Sequence, residues 1–103
     1  MDIIYRGRAE GKTTELIKRS IEENAYIIVI NRGRALAVKK LADKLGYRQL
    51  LFPVTFQEYM SNKMRGSYVR NVLIDDADDL IKLIFSSVNV LAITMSKRDN
   101  EEV

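Results

Sequence analysis

The chain of 103 residues contains no cysteine and no histidine. Disulfide frameworks, zinc sites of the usual kind, Cys/His nucleophile pairs and histidine acid–base catalysis are thereby excluded. Chemistry has to run on carboxylates, Lys, Arg, Ser/Thr or a hard metal ion. Long apolar runs are missing too. Ile27 to Ile30 and Val90 to Ile93 are among the longest, against the roughly 20 residues of a spanning helix, so no membrane span is expected. The start of the chain has no basic segment followed by an apolar one, and a cytoplasmic protein is the expectation. Internal repeats and low-complexity tracts are absent.

What remains is ordinary for a globular sequence, with 47% hydrophobic and 30% charged residues, neither disordered nor fibrous. At roughly 100 to 200 residues per domain, the length corresponds to one domain with a small core. The net charge of +3 is unevenly spread. Residues 1 to 52 carry 11 basic and 6 acidic side chains, and residues 53 to 103 carry 6 and 8. Two readings fit the basic half: a surface for an anion such as nucleic acid, or solvated helix faces.

Periodicity divides the chain into alternating strands and helices. Ile3 to Tyr5 reads as a short strand, stopped by Gly7 and Gly11. Leu16, Ile17 and Ile21 recur at helical spacing from Lys12 to Asn24. Ala25 to Ile30 reads as a strand buried on both faces. A second helical stripe, Ala35, Val38, Leu41, Ala42 and Leu45, closes at Gly46. Leu50 to Val54 contains Pro53 and reads as a short or edge strand. Thr55 to Met60 reads as a helical turn and Ser61 to Tyr68 as an exposed basic loop. Val72 to Asp75 is a further buried strand, and Asp79 to Phe85 a helix with Leu80, Ile81 and Ile84 inward. Val88 to Met95 is a last buried strand. The expected fold is an α/β three-layer sandwich around a mostly parallel sheet of four to five strands, formed by residues 1–96, with 97–103 a frayed tail. In such sheets ligands bind beyond the carboxyl ends of the strands.

Residues 6 to 13 read Arg-Gly-Arg-Ala-Glu-Gly-Lys-Thr between a strand and a helix. They resemble the Walker A loop of P-loop NTPases, with Arg6 in place of the first glycine and Gly7 one position later. Gly7, Arg8, Ala9, Glu10 and Gly11 would turn backbone N–H groups toward phosphate oxygens, and the following helix adds its positive end. Lys12 would reach the β- and γ-phosphates, Thr13 would bind Mg²⁺ through its hydroxyl, and Thr14 would reach the α-phosphate. The bland alternative is a solvated loop with a helix cap.

Val72-Leu73-Ile74-Asp75-Asp76 resembles a Walker B strand. The resemblance implies that Asp75 holds Mg²⁺ through water and that Asp76, one methylene shorter than the usual Glu, orients or deprotonates the attacking water. Asp78 and Asp79 read instead as favouring the N-terminus of the next helix. Thr94, at the end of the last expected strand, is a candidate γ-phosphate sensor.

Gly11 to Arg19 and Ile74 to Ala77 are similar to the matching runs of type II thymidine kinases, but no lasso or cysteine zinc site accompanies them, so that activity is not expected. Asn31-Arg32 and Val54 to Tyr59 look like reduced forms of segments in the first RecA-like domain of superfamily 1 helicases, where a Thr-Phe pair lies near single-stranded DNA. Taken in order, the motifs resemble the very small P-loop ATPase-like proteins of bacteriophages, which would act in the host cytoplasm. The resemblance implies MgATP or another nucleoside triphosphate as ligand. It also implies single- or double-stranded DNA as a partner, with Thr55, Phe56, Lys63 and Arg65 as candidate contacts. A homo-oligomer or protein partner would supply an arginine in trans, for which Arg65, Arg70 and Arg98 are candidates. The alternative is a nucleotide-responsive protein-binding module with little or no hydrolysis, and a third class is a plain structural α/β domain.

Overall fold

Leu16, Ile17 and Ser20 lie on one stripe of helical spacing, and burying that stripe orients the first helix. The computed structural model describes residues 2–4, 11–61 and 71–94. In it α1 (Lys12–Glu23) buries these three residues. Asn24 ends the helix in the left-handed region at φ 50° and returns its N–H to the Ser20 carbonyl, a conformation Asn tolerates better than most side chains. The β-branched run that follows forms β1 (Ala25–Val29), in which Ile27 and Val29 are fully buried.

The next helix, α2 (Arg32–Lys44), starts at Asn31, whose side chain accepts the Arg34 N–H at 2.8 Å. It turns Ala35, Val38 and Ala42 inward. Its end is a Schellman motif: Tyr47 N–H donates to the Ala42 carbonyl at 2.8 Å and Gly46 N–H to that of Asp43 at 3.1 Å. Gly46 takes φ +89°, where a side chain is costly.

β1 is the central strand of a three-stranded sheet in the order β2-β1-β3, with β2 (Val54–Thr55) and β3 (Asn71–Ile74) both parallel to it. Ile28 is level with Val54 on one side and Ile74 on the other. Helices α3 (Phe56–Met60) and α4 (Ala77–Ile84) follow β2 and β3. Leu16 and Ile17 of α1, Ala35, Val38 and Ala42 of α2, Ile27 and Val29 of β1, and Leu50 form the core, with Ile4, Leu41, Tyr47 and Leu73 packed against it. Each large aliphatic side chain buried in this way contributes about 1.5–3 kcal/mol. No helix among the described residues is long and apolar enough to cross a membrane.

The α/β class and the parallel sheet agree with the sequence, but the size of the sheet does not. Among the described residues there are three strands rather than four to five. Ile3 and Ile4 are half-buried without strand pairing, and Tyr5 lies outside the described residues. Val88 to Thr94 is exposed and irregular, Leu91 being 94% exposed. An apolar run becomes a strand only where a sheet edge receives it in register, and among the described residues none pairs with this one. The strand expected from Leu50 shrinks to Val54–Thr55, because Pro53 has no N–H for the ladder. Two further expectations of burial are corrected. On β3, Val72 and Ile74 are 43% and 46% exposed, and on α4 Ile84 is 48% exposed while Leu80 is buried. Among the described residues the core unites one sheet face with α1 and α2, while the face carrying Val72 and Ile74 is half open.

Candidate functional site

Parallel strands deliver their carboxyl ends to one edge, and the helices that start there aim their N-termini at it. Gly11 opens α1 at φ +78°, a left-handed turn that glycine makes without strain. Asn31 opens α2 beyond the end of β1. Asp75 extends β3 by one more ladder bond, its N–H on the Ile28 carbonyl at 3.0 Å. Asp76 then opens α4.

Two polar links join these ends. The Lys12 ammonium meets the Asp76 carboxylate at 3.0 Å. Arg34 spans the gap, its Nε donating to Asp75 Oδ2 at 2.7 Å and its Nη2 to Thr13 Oγ1 at 2.9 Å. The Asp75 side chain is only 2% exposed, and its other oxygen, Oδ1, has no hydrogen-bond partner among the described residues. The cleft above these groups measures about 760 Å³, and Lys12, Thr13, Thr14, Arg34 and Asp76 line it together with Asp78, Asp79 and Lys82. That volume lies within the range of about 300–1,000 Å³ common for small-molecule sites.

The electrostatics follow the contacts. The hydrogen bond from Asp76, then its charge, raises the Lys12 ammonium above its ordinary value of 10.5. On the lysine side, what the pair contributes to stability is complete at neutral pH and is lost as pH rises through that raised value. The Asp75 hydrogen bond raises Arg34 likewise and keeps it charged.

Among the described non-glycine residues of this site, Asp76 alone has a positive φ. It sits in the left-handed region at φ 50° and ψ 62°, and it makes no side-chain cap to α4 because its carboxylate is engaged with Lys12. Short polar side chains such as Asp and Asn visit this region more readily than others, which explains why Asp rather than the longer Glu stands here. Asp76→Ala is expected to unfold at lower urea than Asp76→Asn or Asp76→Gly, by about 1 kcal/mol. All three variants lose the carboxylate, so the difference isolates the backbone; equal midpoints would show that the left-handed turn carries no cost.

Of the residues singled out in the sequence, the structure brings Gly11, Lys12, Thr13, Thr14, Asp75 and Asp76 to one edge. Asp78 and Asp79 fall in the first turn of α4 and on the cleft wall. Gly7, Arg8, Ala9 and Glu10 lie outside the described residues, as do Lys63, Arg65, Arg70 and Arg98. Thr94 is exposed, outside any strand and not on the cleft wall. Thr55 is buried, and its hydroxyl accepts the Glu58 N–H at 3.0 Å while Glu58 returns a bond to the Thr55 N–H at 3.0 Å, a capping box that opens α3. Phe56 is half-buried beside it. Arg32 lies over the Phe52 ring at 5.6 Å.

Arg34 is the residue that sequence reasoning missed. One signal was available: α2 has no acid in its first turn and two arginines instead, against the sense of the helix dipole. A cation placed there needs an anion nearby, and Asp75 is that anion.

A hard divalent ion has a limited but chemically suitable donor set here. Among the described residues no cluster of three or more His, Cys, Asp or Glu side chains stands ready to hold a metal. The Thr13 hydroxyl and the Asp75 carboxylate already share one cationic partner, and Asp75 Oδ1 is buried with no hydrogen bond among the described residues. One carboxylate and one hydroxyl suit Mg²⁺, which takes most of its ligands from phosphates and water. Comparison with protein-family models, curated proteins and solved structures finds no match to this chain.

Proposed function

We propose that this chain binds MgATP, or another nucleoside triphosphate, at the sheet edge between α1 and β3, and hydrolyses it in a complex with nucleic acid. One observation carries the reading. Lys12 and Thr13 at the start of a helix meet Asp76 directly, and Asp75 through Arg34, at the end of a parallel strand, beside a cleft of about 760 Å³.

In this reading the N-terminal end of α1 and Lys12 bind the triphosphate, and Lys12 leaves Asp76 for the phosphates. Thr13 and Asp75 hold Mg²⁺, which would neutralise phosphate charge and fix the orientation of the chain of phosphates. Asp76, released from Lys12, orients the attacking water and accepts its proton. An arginine from a second copy or a protein partner completes the charge stabilisation. The basic first half of the chain supports a nucleic-acid partner by charge.

A second reading, a nucleotide-responsive protein-binding module without turnover, is favoured by the half-open face of Val72 and Ile74 and by exposed Ile84 and Phe85. Phosphate release measured with ATP, GTP and dTTP, with and without single-stranded DNA, separates the two. Multiple turnovers raised by DNA are expected for the first reading. Tight nucleotide binding with negligible release would overturn it in favour of the second.

A further inference from the structure

Arg34 holds both groups proposed to bind the metal, and the way it does so is unusual for a purely structural ion pair. A guanidinium placed for stability commonly grips both oxygens of a carboxylate through parallel bonds. Here the fork is split, one arm on Asp75 Oδ2 and the other on Thr13 Oγ1. The split leaves Asp75 Oδ1 without a partner among the described residues although the side chain is almost wholly buried. A buried carboxylate oxygen left in this state is costly, and it is the oxygen a second cation would take.

We propose that Arg34 acts as the resting cation of this site, making it refuse a free divalent ion and accept the metal only when it arrives with a polyphosphate. A divalent ion alone would have to displace the guanidinium from a buried carboxylate and leave it beside Lys12 with only the exposed, well-hydrated carboxylates of Asp78 and Asp79 in exchange. A metal–triphosphate complex brings its own anion, so Arg34 exchanges Asp75 and Thr13 for phosphate oxygens as the ion takes their oxygens. Arg34 reaches the cleft for this, since it lines the wall and its side chain is 34% exposed. The consequence is a specificity rule: the ligand of the site is the metal nucleotide, not metal and nucleotide independently. This rests on the nucleotide reading above.

The test is a titration of the full chain with Mn²⁺, following the free ion by electron paramagnetic resonance, without and with ATP. Arg34→Met is expected to bind Mn²⁺ alone about tenfold or more tighter than the wild type, and to gain melting temperature from Mn²⁺ alone where the wild type gains none. Adding Asp75→Asn to Arg34→Met abolishes the gain. Arg34→Lys, which keeps the charge but cannot make the split contact, serves if Arg34→Met does not fold, and is expected to lie between the two. If the Arg34 variants bind Mn²⁺ alone no better than the wild type while ATP brings Mn²⁺ onto all of them, the exchange is overturned and the nucleotide reading stands. If ATP brings Mn²⁺ onto none of them, the nucleotide reading falls and the exchange with it.

Discussion

Lys12→Ala is expected to abolish the stabilisation that MgATP would bring at the proposed site, while leaving the fold intact. In the resting protein Lys12 meets Asp76 at the rim of the cleft, both side chains partly exposed, and a pair so screened by solvent contributes little to stability. Alanine is also the best helix former at a position that opens α1. The unbound variant is therefore expected to melt close to the wild type. Binding is a different matter. A charge-assisted contact to phosphate contributes about 1.5–3 kcal/mol, and without the ammonium Asp76 stands unopposed beside an incoming polyanion, so the loss of affinity reaches about 100-fold or more. Melting curves with and without MgATP check this directly. A variant that is stabilised by MgATP as much as the wild type would remove Lys12 from the site.

The second large effect is on stability and has a definite asymmetry. Asp75 is almost wholly buried, whereas Arg34 is about a third exposed. Arg34→Met leaves a buried carboxylate with no cation, a loss of about 3 kcal/mol or more. Asp75→Asn leaves a guanidinium that can turn its head toward water, and is expected to cost about 1–2 kcal/mol. Replacing both, as in Arg34→Met with Asp75→Asn, removes the desolvated charges together and is expected to recover to within about 2 kcal/mol of the wild type. Urea unfolding of the four proteins reads this cycle. Equal losses for the two single variants, or additive losses in the double, would mean that the pair is not coupled through burial.

Much of the framework is written in short-range pattern. Leu16, Ile17 and Ser20 announce α1, the run from Ala25 announces β1, and Asn31 and Gly46 mark the two ends of α2, because spacing, β-branching and caps act within a few residues of themselves. The edge of the sheet is not written that way. Val88 to Thr94 has the composition of a buried strand and is exposed, since composition specifies an appetite for burial and not the partner that satisfies it. Pro53 shortened β2 for a reason visible in the residue itself.

The site divides along the same line. The placement of Lys12, Thr13, Asp75 and Asp76 was legible because the first two open a helix after Gly11 and the last two end a strand before one, and the parallel sheet brings both places to one edge. Arg34 was not, because its partners lie 21 and 41 residues away and only the assembled sheet brings them together. The left-handed turn at Asp76 is likewise a property of the β3–α4 junction and not of the acidic run. Thr55 teaches the converse lesson. Its place beside Phe56 resembles a nucleic-acid segment, but its hydroxyl and the Glu58 three residues later already form a capping box, a local pattern that accounts for the hydroxyl by itself.

The central claim is that the edge shared by α1 and β3 is a site for a metal nucleotide. Isothermal titration of the full chain with ATP, in Mg²⁺ and again after EDTA, tests it most directly. The account predicts saturable binding of one ATP per chain in Mg²⁺, greatly weakened by EDTA. No saturable heat in Mg²⁺, or binding indifferent to the metal, would contradict it.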